Sequence, residues 1–293
     1  MRWIASAVAV AALTACGSVE PEAPANTSVA VPAFSEIPRN TTRPATGDSD
    51  MRLLEPFTGD LDVLIERGVI RLLVVPSRTH LEIDGGVQRG RTVDAAAAFE
   101  RFVNERLTPR RVAIVIVTVA EASLIQDLRA GRGDIAANLL RTFERDDQVA
   151  FAKPVRTGVR ELVVTSPGTP PLVSLEDVGG RTIHVRRNSD HHASAVRLNE
   201  QLKKIDRPPA TLVLAAESST DEDLLELANT GGAPATIIDD YVYDAWRFRY
   251  DKVAVNRDIA VSQDGELAWA TRRDSPRLLA LVNEFFSTHR LTF

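Results

Sequence analysis

The sequence predicts an α/β protein of two lobes, and three observations support this prediction. Apolar, strand-like runs alternate with helix-like segments between residues 69 and 140. A second alternation of the same kind follows between residues 181 and 239. The chain then closes on one more strand and one more helix, which indicates a return to the first lobe. Such alternation is typical of parallel sheets whose helices form right-handed crossovers.

The first lobe follows a strand–helix order along the chain. Continuous apolar runs predict buried strands at residues 69–75 and 112–120, and the second run is β-branched, as expected where both faces of a strand are covered. Apolar residues at helical spacing predict a helix over residues 93–107. A further helix over residues 121–131 ends at a glycine, and a third strand follows at residues 134–140.

The second lobe repeats this alternation. Its predicted elements are a strand, a helix, a strand, a helix and a strand, at residues 181–187, 192–205, 211–216, 221–229 and 235–239. Thr220 is expected to cap the second of these helices, because acidic residues follow it in the first turn. The chain closes with a strand at residues 266–273 and a helix from Pro276, for which Ser275 is the expected N-cap.

Composition argues against several function classes. The formal net charge of −5 gives no basis for binding nucleic acid. Aromatic residues make up 5% of the chain, which is too few to favour a stacking platform for bases or sugars. The single cysteine, Cys16, excludes an internal disulfide. The sequence has no glycine-rich phosphate loop and no nucleophile elbow, and we expect no cofactor.

Residues 1–15 predict a secretory signal, because Arg2 precedes an apolar run that is too short to span a bilayer. LTAC, at residues 13–16, resembles a bacterial lipobox, which implies cleavage before Cys16 and lipidation of that cysteine. A plain signal is the alternative. Residues 16–55 are rich in Pro, Thr, Ser and Ala, and we expect a disordered tether. No acidic residue directly follows the cysteine, which favours the outer membrane.

Six segments of the chain carry a resemblance to a known family. They are RGVIRLLVVPSRTHLEIDGGVQRGRTVDAAAAFERFVNERL, GRGDIAANLLRTFERDDQVAFAKPV, SLEDVGGRTIHVRRNSD, DEDLLELAN, IIDDYVYDAW and GELAWATRRDSPRLLALVNEFF. In this order they resemble the periplasmic solute-binding domain of membrane-bound lytic murein transglycosylase F and its relatives, within solute-binding protein family 3. The resemblance spans about residues 60–290.

This resemblance implies a type II periplasmic binding protein, in which two α/β lobes are joined by two crossing strands and ligand binds in the cleft between them. Lobe 1 is predicted at residues 60–158 plus 258–293, and lobe 2 at residues 159–257. The transglycosylases carry a further catalytic domain, for which we expect no room after STHRLTF. Glu217 and Ser218 look like the start of the catalytic motif, but a helix start explains them better. We therefore expect a binding module rather than an enzyme.

Thr142 and Arg145 are the first candidate ligand residues. By the resemblance, they correspond to a Thr-x-x-Arg element that follows the third strand and faces the cleft. Arginine presents a planar fork of donors that pairs bidentately with a carboxylate. One charge-assisted hydrogen bond contributes about 1.5–3 kcal/mol, so Arg145 would anchor a ligand without holding it alone. The alternative is a surface arginine paired with Asp146 or Asp147.

Arg78, Asn188, Ser189 and Asp240 complete the predicted ligand site. By the resemblance, Asn188 and Ser189 occupy a small polar loop before a helix, where N–H groups attract anions. Asp240 follows a strand at the carboxyl edge of the sheet, and the corresponding acid of amino-acid-binding relatives holds the ligand ammonium. Arg78 follows the first strand at the same edge. Helix capping is the alternative for the loop residues and for Asp240.

Some positions depart from the family's pattern. Leu140 stands where relatives usually have Thr or Ser, and Asp190, His191 and His192 stand where they often have Ser and aromatic residues. These departures argue against a free amino acid as the ligand and leave open a cleft that serves only as a scaffold. His191 and His192 are adjacent and would diverge on a helix, so we expect no metal site there.

The sequence as a whole predicts a lipid-anchored periplasmic solute-binding protein. We expect it to close on a small polar ligand, such as an amino acid, a peptide or a peptidoglycan fragment, for transport or sensing. Its expected partners are that ligand, the membrane through the lipid anchor, and an ABC permease or a cell-wall enzyme. The alternative is a truncated or regulatory relative of a membrane-bound lytic murein transglycosylase.

Overall fold

A computed structural model of the protein describes residues 55–289. The predicted signal segment, the lipidation site Cys16 and the tether up to residue 54 lie outside the described residues. Within the described part, the chain forms eight α-helices: α1 Leu61–Arg67, α2 Arg91–Leu107, α3 Leu124–Arg129, α4 Phe143–Asp146, α5 Asp190–Lys204, α6 Asp221–Asn229, α7 Asp240–Trp246 and α8 Pro276–Thr288. No helix of this part is both long enough and apolar enough to cross a membrane.

The same residues form ten strands: β1 Val69–Val74, β2 Glu82–Asp84, β3 Val87–Arg89, β4 Ala113–Thr118, β5 Ile135–Leu140, β6 Ala150–Thr165, β7 Thr182–Arg186, β8 Thr211–Ala215, β9 Ala235–Asp239 and β10 Ala254–Thr271. β2 and β3 form a separate hairpin, and the other eight strands form one sheet in the order β4-β1-β5-β10-β6-β9-β7-β8.

The pairing of these strands divides the sheet into two parallel groups. β1 pairs in parallel with β4 and β5, and these strands belong to lobe 1. β7 pairs in parallel with β8 and β9, which belong to lobe 2. β6 and β10 are antiparallel to each other and lie between the two groups. The prediction of two α/β lobes joined by two crossing strands is confirmed.

β6 and β10 are long strands, of 16 and 18 residues. Their pairing register shifts repeatedly between Val255 and Ala270. Such irregularities bend a strand and increase its twist. The crossing strands can therefore turn from one lobe into the other without a break. Only residues 266–273 of β10 were predicted as a strand, because polar residues interrupt the apolar pattern elsewhere along both crossing strands.

The run at residues 112–120 forms the predicted strand, and apolar side chains pack on both faces of β4. Ile116 contacts the core that contains Phe99, and Val117 contacts the core that contains Leu124.

β4 lies at the edge of the described sheet, next to β1. Ala113 and Thr118 are exposed, whereas Ile114 is buried. Branched side chains favour an extended backbone at a sheet edge as well as in its centre, so the β-branched run indicated a strand but not its position.

The C-terminal helix α8 packs into the core of lobe 1. The ring centroid of Phe285 lies 5.2 Å from that of Phe99 and 5.4 Å from that of Phe102, both on α2. Trp269 of β10 lies 5.8 Å from Phe99 in an edge-to-face arrangement, which is a favoured geometry for aromatic pairs. All four side chains are buried. The end of the chain thus completes the core that β1 and α2 begin.

Two N-cap residues were predicted from the sequence, and only one of them makes a capping hydrogen bond. Thr220 caps α6 as predicted, since its side chain accepts a hydrogen bond from the N–H of Asp223 and the Asp223 carboxylate accepts one from the N–H of Thr220. Ser275 holds the N-cap position of α8, but its side chain makes no capping hydrogen bond to the described residues. Asp60 caps this helix instead, because its two carboxylate oxygens each accept a first-turn N–H at 2.9 Å.

A buried ion pair joins three segments of lobe 1. Arg71 of β1 and Asp134 are both 0% exposed, and Nη2 of Arg71 lies 3.0 Å from Oδ1 of Asp134. The Asp134 carboxylate also accepts the backbone N–H of Arg71 at 2.9 Å. Nη2 of Arg272, which directly follows β10, lies 3.4 Å from the same carboxylate. β1, β5 and β10 therefore meet at one buried acid.

Candidate functional site

A cavity of about 100 Å³ lies between the two lobes. The carboxyl ends of β1, β5, β7 and β9 approach it, and this edge of an α/β sheet is where ligand sites usually form. Its apolar lining comes mainly from lobe 1 and includes Val74, Val75, Pro76, Leu124, Ala137, Leu139 and Leu140. The polar lining comes from both lobes and is strongly acidic.

Carboxylates outnumber cations in this lining. Among the cavity residues that the structure describes, the acids are Glu121, Glu161, Asp190, Asp221, Glu222 and Asp239, and the bases are His80, Arg186 and His191. Four of the six acids lie at or near the ends of β9, α5 and α6 in lobe 2. The cavity therefore has an excess of negative charge.

Arg186, the last residue of β7, joins acids from both lobes. Its Nη2 atom lies 2.5 Å from Oε2 of Glu121 and 3.6 Å from Oδ1 of Asp221. Burial by itself lowers the pKa of Arg186, but the surrounding carboxylates outweigh this effect and raise the pKa. Burial raises the pKa of Glu121, although Arg186 opposes that shift. The guanidinium of Arg186 thus pairs with Glu121 and Asp221. The other described acids of the cavity wall form no ion pair with this guanidinium.

His191 lies on the first turn of α5 and is buried between two further acids. Its Nε2 atom lies 3.2 Å from Oδ1 of Asp239, and its Nδ1 atom lies 3.6 Å from Oδ1 of Asp221. Burial by itself lowers the pKa of His191, but the two carboxylates outweigh burial and raise the pKa well above its ordinary value. The imidazole and these two carboxylates are therefore strongly coupled.

Two glutamates of the cavity each keep one carboxylate oxygen without a partner. Glu161 is 3% exposed, and its Oε2 atom has no hydrogen-bond partner among residues 55–289. Glu222 accepts the N–H of Thr79 at 2.9 Å through Oε1, but its Oε2 atom likewise lacks a partner within the described chain. Burial raises the pKa of both carboxyl groups. These oxygens are available to a bound group.

Arginines of lobe 1 reach across to acids of lobe 2 beside the cavity. Arg145 donates to the two carboxylate oxygens of Asp190 at 3.0 and 2.6 Å, and it also donates to the carbonyl of Leu140 at 2.7 Å. Arg78 donates to Glu226 at 2.9 Å and to Asp223 at 2.6 Å. Ion pairs of two arginines therefore bridge the two lobes.

None of the six predicted ligand residues is among the described residues that line the cavity. Arg78 and Arg145 form the bridges just described, and Thr142 is the N-cap residue of α4. Asn188 is exposed and donates to Glu217, while Ser189 caps α5 by accepting the N–H of His192 at 3.1 Å. Asp240 is buried and lies 3.8 Å from Arg160. Their role in ligand binding stays a prediction.

Most of the acidic lining was not predicted as part of the ligand site from the sequence. Asp221 was interpreted as a first-turn acid of α6, a role that its position also allows. Glu161 is one charged residue in the apolar half of β6, and Glu121 follows β4. A lone acid inside a buried strand is a signal that could have found Glu161, because glutamate is almost never fully buried without a partner.

His80 forms a second, uncharged part of the wall. Its Nδ1 atom lies 3.1 Å from the side-chain nitrogen of Asn138, and its Nε2 atom lies 3.2 Å from the hydroxyl of Tyr241. Burial lowers the pKa of His80 to about 4, Arg91 adds to this effect, and Asp221 partly opposes it. The ring is therefore neutral at pH 7, accepts from Asn138 and donates to Tyr241.

We expect His80 to make the protein less stable in acid. The unfolded chain binds a proton at this ring near pH 6.5, whereas the folded chain binds it only near pH 4. The neutral ring therefore makes its full contribution to the free energy of unfolding above about pH 6.5. About 3 kcal/mol of this contribution is lost as the pH drops to 4. Urea titrations at pH 7.5 and 4.5 should show a smaller acid loss for His80→Gln than for the unmodified protein.

His289→Gln is the matched control for this measurement, since His289 lies at the exposed end of α8. We expect the control to lose as much stability in acid as the unmodified protein. Equal acid losses for His80→Gln and His289→Gln would show that the neutral ring of His80 has no such effect.

Comparisons with known proteins agree with this fold. Residues 81–291 match the model of the family described as bacterial extracellular solute-binding proteins, family 3. The amino acid ABC transporter substrate-binding protein AbpA of Streptococcus pneumoniae, solved bound to L-arginine, is a structural neighbour with a TM-score of 0.63. It is 16% identical in sequence, and the alignment covers 78% of this chain and 91% of AbpA.

Two curated relatives are membrane-bound lytic murein transglycosylases F. That of Cellvibrio japonicus is 29% identical over 136 residues, which is 46% of this chain and 26% of the relative. That of Maricaulis maris is 29% identical over 215 residues, which is 72% of this chain and 43% of the relative. The chain thus spans less than half of the length of these relatives.

The family match extends over well more than half of the 293 residues, and the resemblance inferred from the sequence is confirmed. The matched region includes every strand from β2 onward. It therefore contains both crossing strands and the parallel strands of lobe 2. The chain belongs to the bacterial extracellular solute-binding proteins, family 3.

Proposed function

We propose that this protein is a non-enzymatic solute-binding module whose cleft closes on a small polar solute that carries positive charge. The observation that carries the proposal is the acidic lining of the interlobe cavity, in which two buried carboxylate oxygens lack partners among the described residues. Buried charges are stable in proteins only when they are paired. A cation in the cavity would supply the missing partner.

Coulomb's law gives the scale of this preference. At an effective dielectric constant of about 20, two opposite unit charges 4 Å apart attract by about 4 kcal/mol. Binding in the micromolar range requires about 8 kcal/mol. One cationic group against two carboxylates would therefore supply much of the affinity, and an anionic solute would meet repulsion of the same size.

The size of the cavity favours a small solute. Its volume of about 100 Å³ is below the roughly 300–1,000 Å³ that is common for small-molecule sites. This supports a solute no larger than an amino acid over a peptide or a peptidoglycan fragment. The bound L-arginine of AbpA supports a basic group in that solute.

The solute we propose does not need a carboxylate. Arg145, the cation predicted to hold one, already donates to both oxygens of Asp190 and to the carbonyl of Leu140. Asp190 therefore takes the place that a ligand carboxylate would have against this arginine. An amine or a guanidinium compound fits the remaining lining at least as well as an amino acid does.

We place this binding module in the periplasm, held to the outer membrane by a lipidated Cys16. Residues 60–158 with 258–293 and residues 159–257 would act as two bodies that close on the solute. The bound form would deliver the solute to an ABC permease or report it to a sensor. Labelling with a radioactive fatty acid, lost in Cys16→Ser, would test the anchor.

Isothermal titration of the EDTA-treated protein tests the proposed solute class. L-Arginine and agmatine share a guanidinium group, and agmatine lacks the carboxylate; L-glutamate serves as the acidic comparison. We expect both basic solutes to bind more tightly than L-glutamate. Asp239→Asn should weaken that binding about tenfold or more, whereas Asp251→Asn, at an exposed position, should not. Tighter binding of L-glutamate than of any basic solute would overturn the proposal.

The curated relatives support a second candidate function, in cell-wall metabolism as a relative of the murein transglycosylases. This candidate predicts that the purified protein releases soluble fragments from murein sacculi. We expect no release, because glycan cleavage requires a positioned carboxylic acid in a groove that is long enough for a sugar chain. Release of fragments would replace the binding-module proposal with this one.

A further inference from the structure

Glu161, His191 and Asp239 come together in lobe 2 from three different elements. Glu161 lies on β6, Asp239 ends β9, and His191 lies on the first turn of α5. One possible ligand atom from each side chain lies within 4.8 Å of the others. Two donors that bind one ion at about 2.0–2.2 Å lie roughly 3–4 Å apart, so an ion would require only a small contraction of this group.

The register of the sheet sets two of these carboxylates against each other. Glu161 and Asp239 are direct partners in the antiparallel pairing of β6 with β9. Like charges at directly opposite positions destabilise a sheet. His191 offsets part of this repulsion through its contact with Asp239, and a divalent cation bound to both carboxylates would turn the repulsion into attraction to a shared ion.

Glu161 gives an independent indication of a missing ligand. The side chain is 3% exposed and lines the cavity, and its Oε2 atom has no hydrogen-bond partner in the part of the chain that the structure describes. Leaving a buried polar atom unpaired costs about 1–3 kcal/mol, and more for a charged group. A coordinated ion would satisfy this oxygen.

The surroundings of His191 suit a metal ligand. Histidines that bind metals usually donate their second ring N–H to a carboxylate, which fixes the ring and its tautomer. Asp221 lies near that position, with Oδ1 3.6 Å from Nδ1 of His191, so a small approach would make this hydrogen bond. The Nε2 atom lies 3.2 Å from Oδ1 of Asp239 and could coordinate an ion once the ring has lost the proton that it shares with this carboxylate.

From this geometry we propose that Glu161, His191 and Asp239 form a binding site for a divalent transition-metal ion at the wall of the interlobe cavity. One imidazole nitrogen with two carboxylates suits Zn²⁺ or Mn²⁺ better than Ca²⁺, which takes oxygen ligands only. Three protein ligands leave further coordination positions on the cavity side. The inference rests on the proposed preference of the cleft for positive charge, and it adds a metal ion to the cations that the cleft takes.

Metal titration of the untagged, full-length protein after EDTA treatment tests this site. We expect Zn²⁺ to bind with a stoichiometry of one in calorimetry and to raise the melting temperature. Co²⁺ should produce visible absorption bands that report nitrogen and carboxylate ligands. Loss of an outer-shell partner typically weakens metal binding tenfold to a hundredfold. Loss of a direct ligand should therefore weaken metal binding by at least this factor.

The chain offers a matched control for the histidine. His192 is the next residue on α5 but does not line the cavity, so His191→Ala should lose metal binding and His192→Ala should keep it. Glu161→Gln preserves the shape of the side chain and should weaken metal binding as well. This variant tests the site even if His191→Ala fails to fold. Absence of metal binding by the unmodified protein, or equal binding by both histidine variants, would overturn the site.

The titrations with organic cations separate this inference from the proposed function. If L-arginine or agmatine binds the EDTA-treated protein and no metal ion does, the metal site is wrong and the proposed function holds. If Zn²⁺ binds in a His191-dependent way, the metal site is supported whether or not those solutes bind. If only L-glutamate binds, both proposals are wrong.

Discussion

Replacing Asp134 with asparagine is expected to lower the free energy of unfolding by about 3–5 kcal/mol, because it removes one partner of a buried ion pair. Asp134 and Arg71 are both 0% exposed, and their carboxylate and guanidinium groups make two hydrogen bonds of 3.0 Å. The variant would leave the charge of Arg71 buried. An uncompensated buried charge is among the most destabilising changes that a single substitution makes.

The expected loss is large because the guanidinium of Arg71 has no second carboxylate among its described hydrogen-bond partners. It also donates to the carbonyls of Glu55 at 2.9 Å and Phe57 at 3.2 Å, which fix its position without neutralising it. Arg272 would lose the same carboxylate. With typical domain stabilities of about 5–15 kcal/mol, the variant would lose roughly a fifth or more of its stability.

Urea denaturation followed by circular dichroism would measure this loss. Asp84→Asn is the matched control, since Asp84 pairs with Arg89 at 3.4 Å on the exposed β2–β3 hairpin. Exposed pairs of this kind contribute about 0–1 kcal/mol, so the control should unfold close to the midpoint of the unmodified protein. A loss of less than 1 kcal/mol for Asp134→Asn would contradict the role assigned to the buried pair.

Replacing Asp190 with serine is expected to give the cleft an affinity for carboxylates that the unmodified protein lacks. The change removes both side-chain hydrogen bonds that Asp190 accepts from Arg145, and it leaves the bond from Arg145 to the carbonyl of Leu140. Two donors of the guanidinium would then face the gap between the lobes. A hydrogen bond to a charged group contributes about 1.5–3 kcal/mol, which corresponds to a roughly ten- to hundredfold gain.

L-Arginine and agmatine make this prediction specific to the carboxylate. In the unmodified protein the two solutes should bind with similar affinity, and in Asp190→Ser we expect L-arginine to bind more tightly by the factor given above. Asp146→Ser is the control, because it removes a partner of Arg141 on the exposed side of α4 and should not separate the two solutes. Equal affinities in Asp190→Ser would mean that Arg145 does not read a ligand carboxylate.

The regular elements of lobe 2 were predicted best from the sequence. α6 and β9 have the predicted bounds, because a capping box fixes the start of α6 and a continuous apolar run defines β9. The short helices α1, α4 and α7 were not predicted, since four to seven residues give too few positions for a helical pattern. The edge position of β4 was not predicted, because branched residues favour an extended backbone at the edge of a sheet as well as in its centre.

The candidate site was less accessible to sequence reasoning. Glu161 and Asp239 become neighbours only through the pairing of β6 with β9, and His191 joins them because α5 begins close to the end of the adjacent strand β7. Adjacent histidines were examined for metal-ligand spacing, but the partners of His191 come from distant segments. Similarly, Arg145 was recognised from a local motif, whereas its partner Asp190 lies 45 residues away in the other lobe.

The position of β10 in the sheet has a consequence for biosynthesis. β5 pairs with β10 at Leu140 and Leu267. One edge of β5 therefore stays unpaired until the ribosome has synthesised β10, which lies far later in the chain. At about 5–20 residues per second, the delay is on the order of ten seconds. The strands of lobe 2 are contiguous in the chain and can pair first. A nascent polypeptide of this kind carries an unpaired strand edge while almost half of the 293 residues are made, and chaperone binding during that interval would prevent its aggregation.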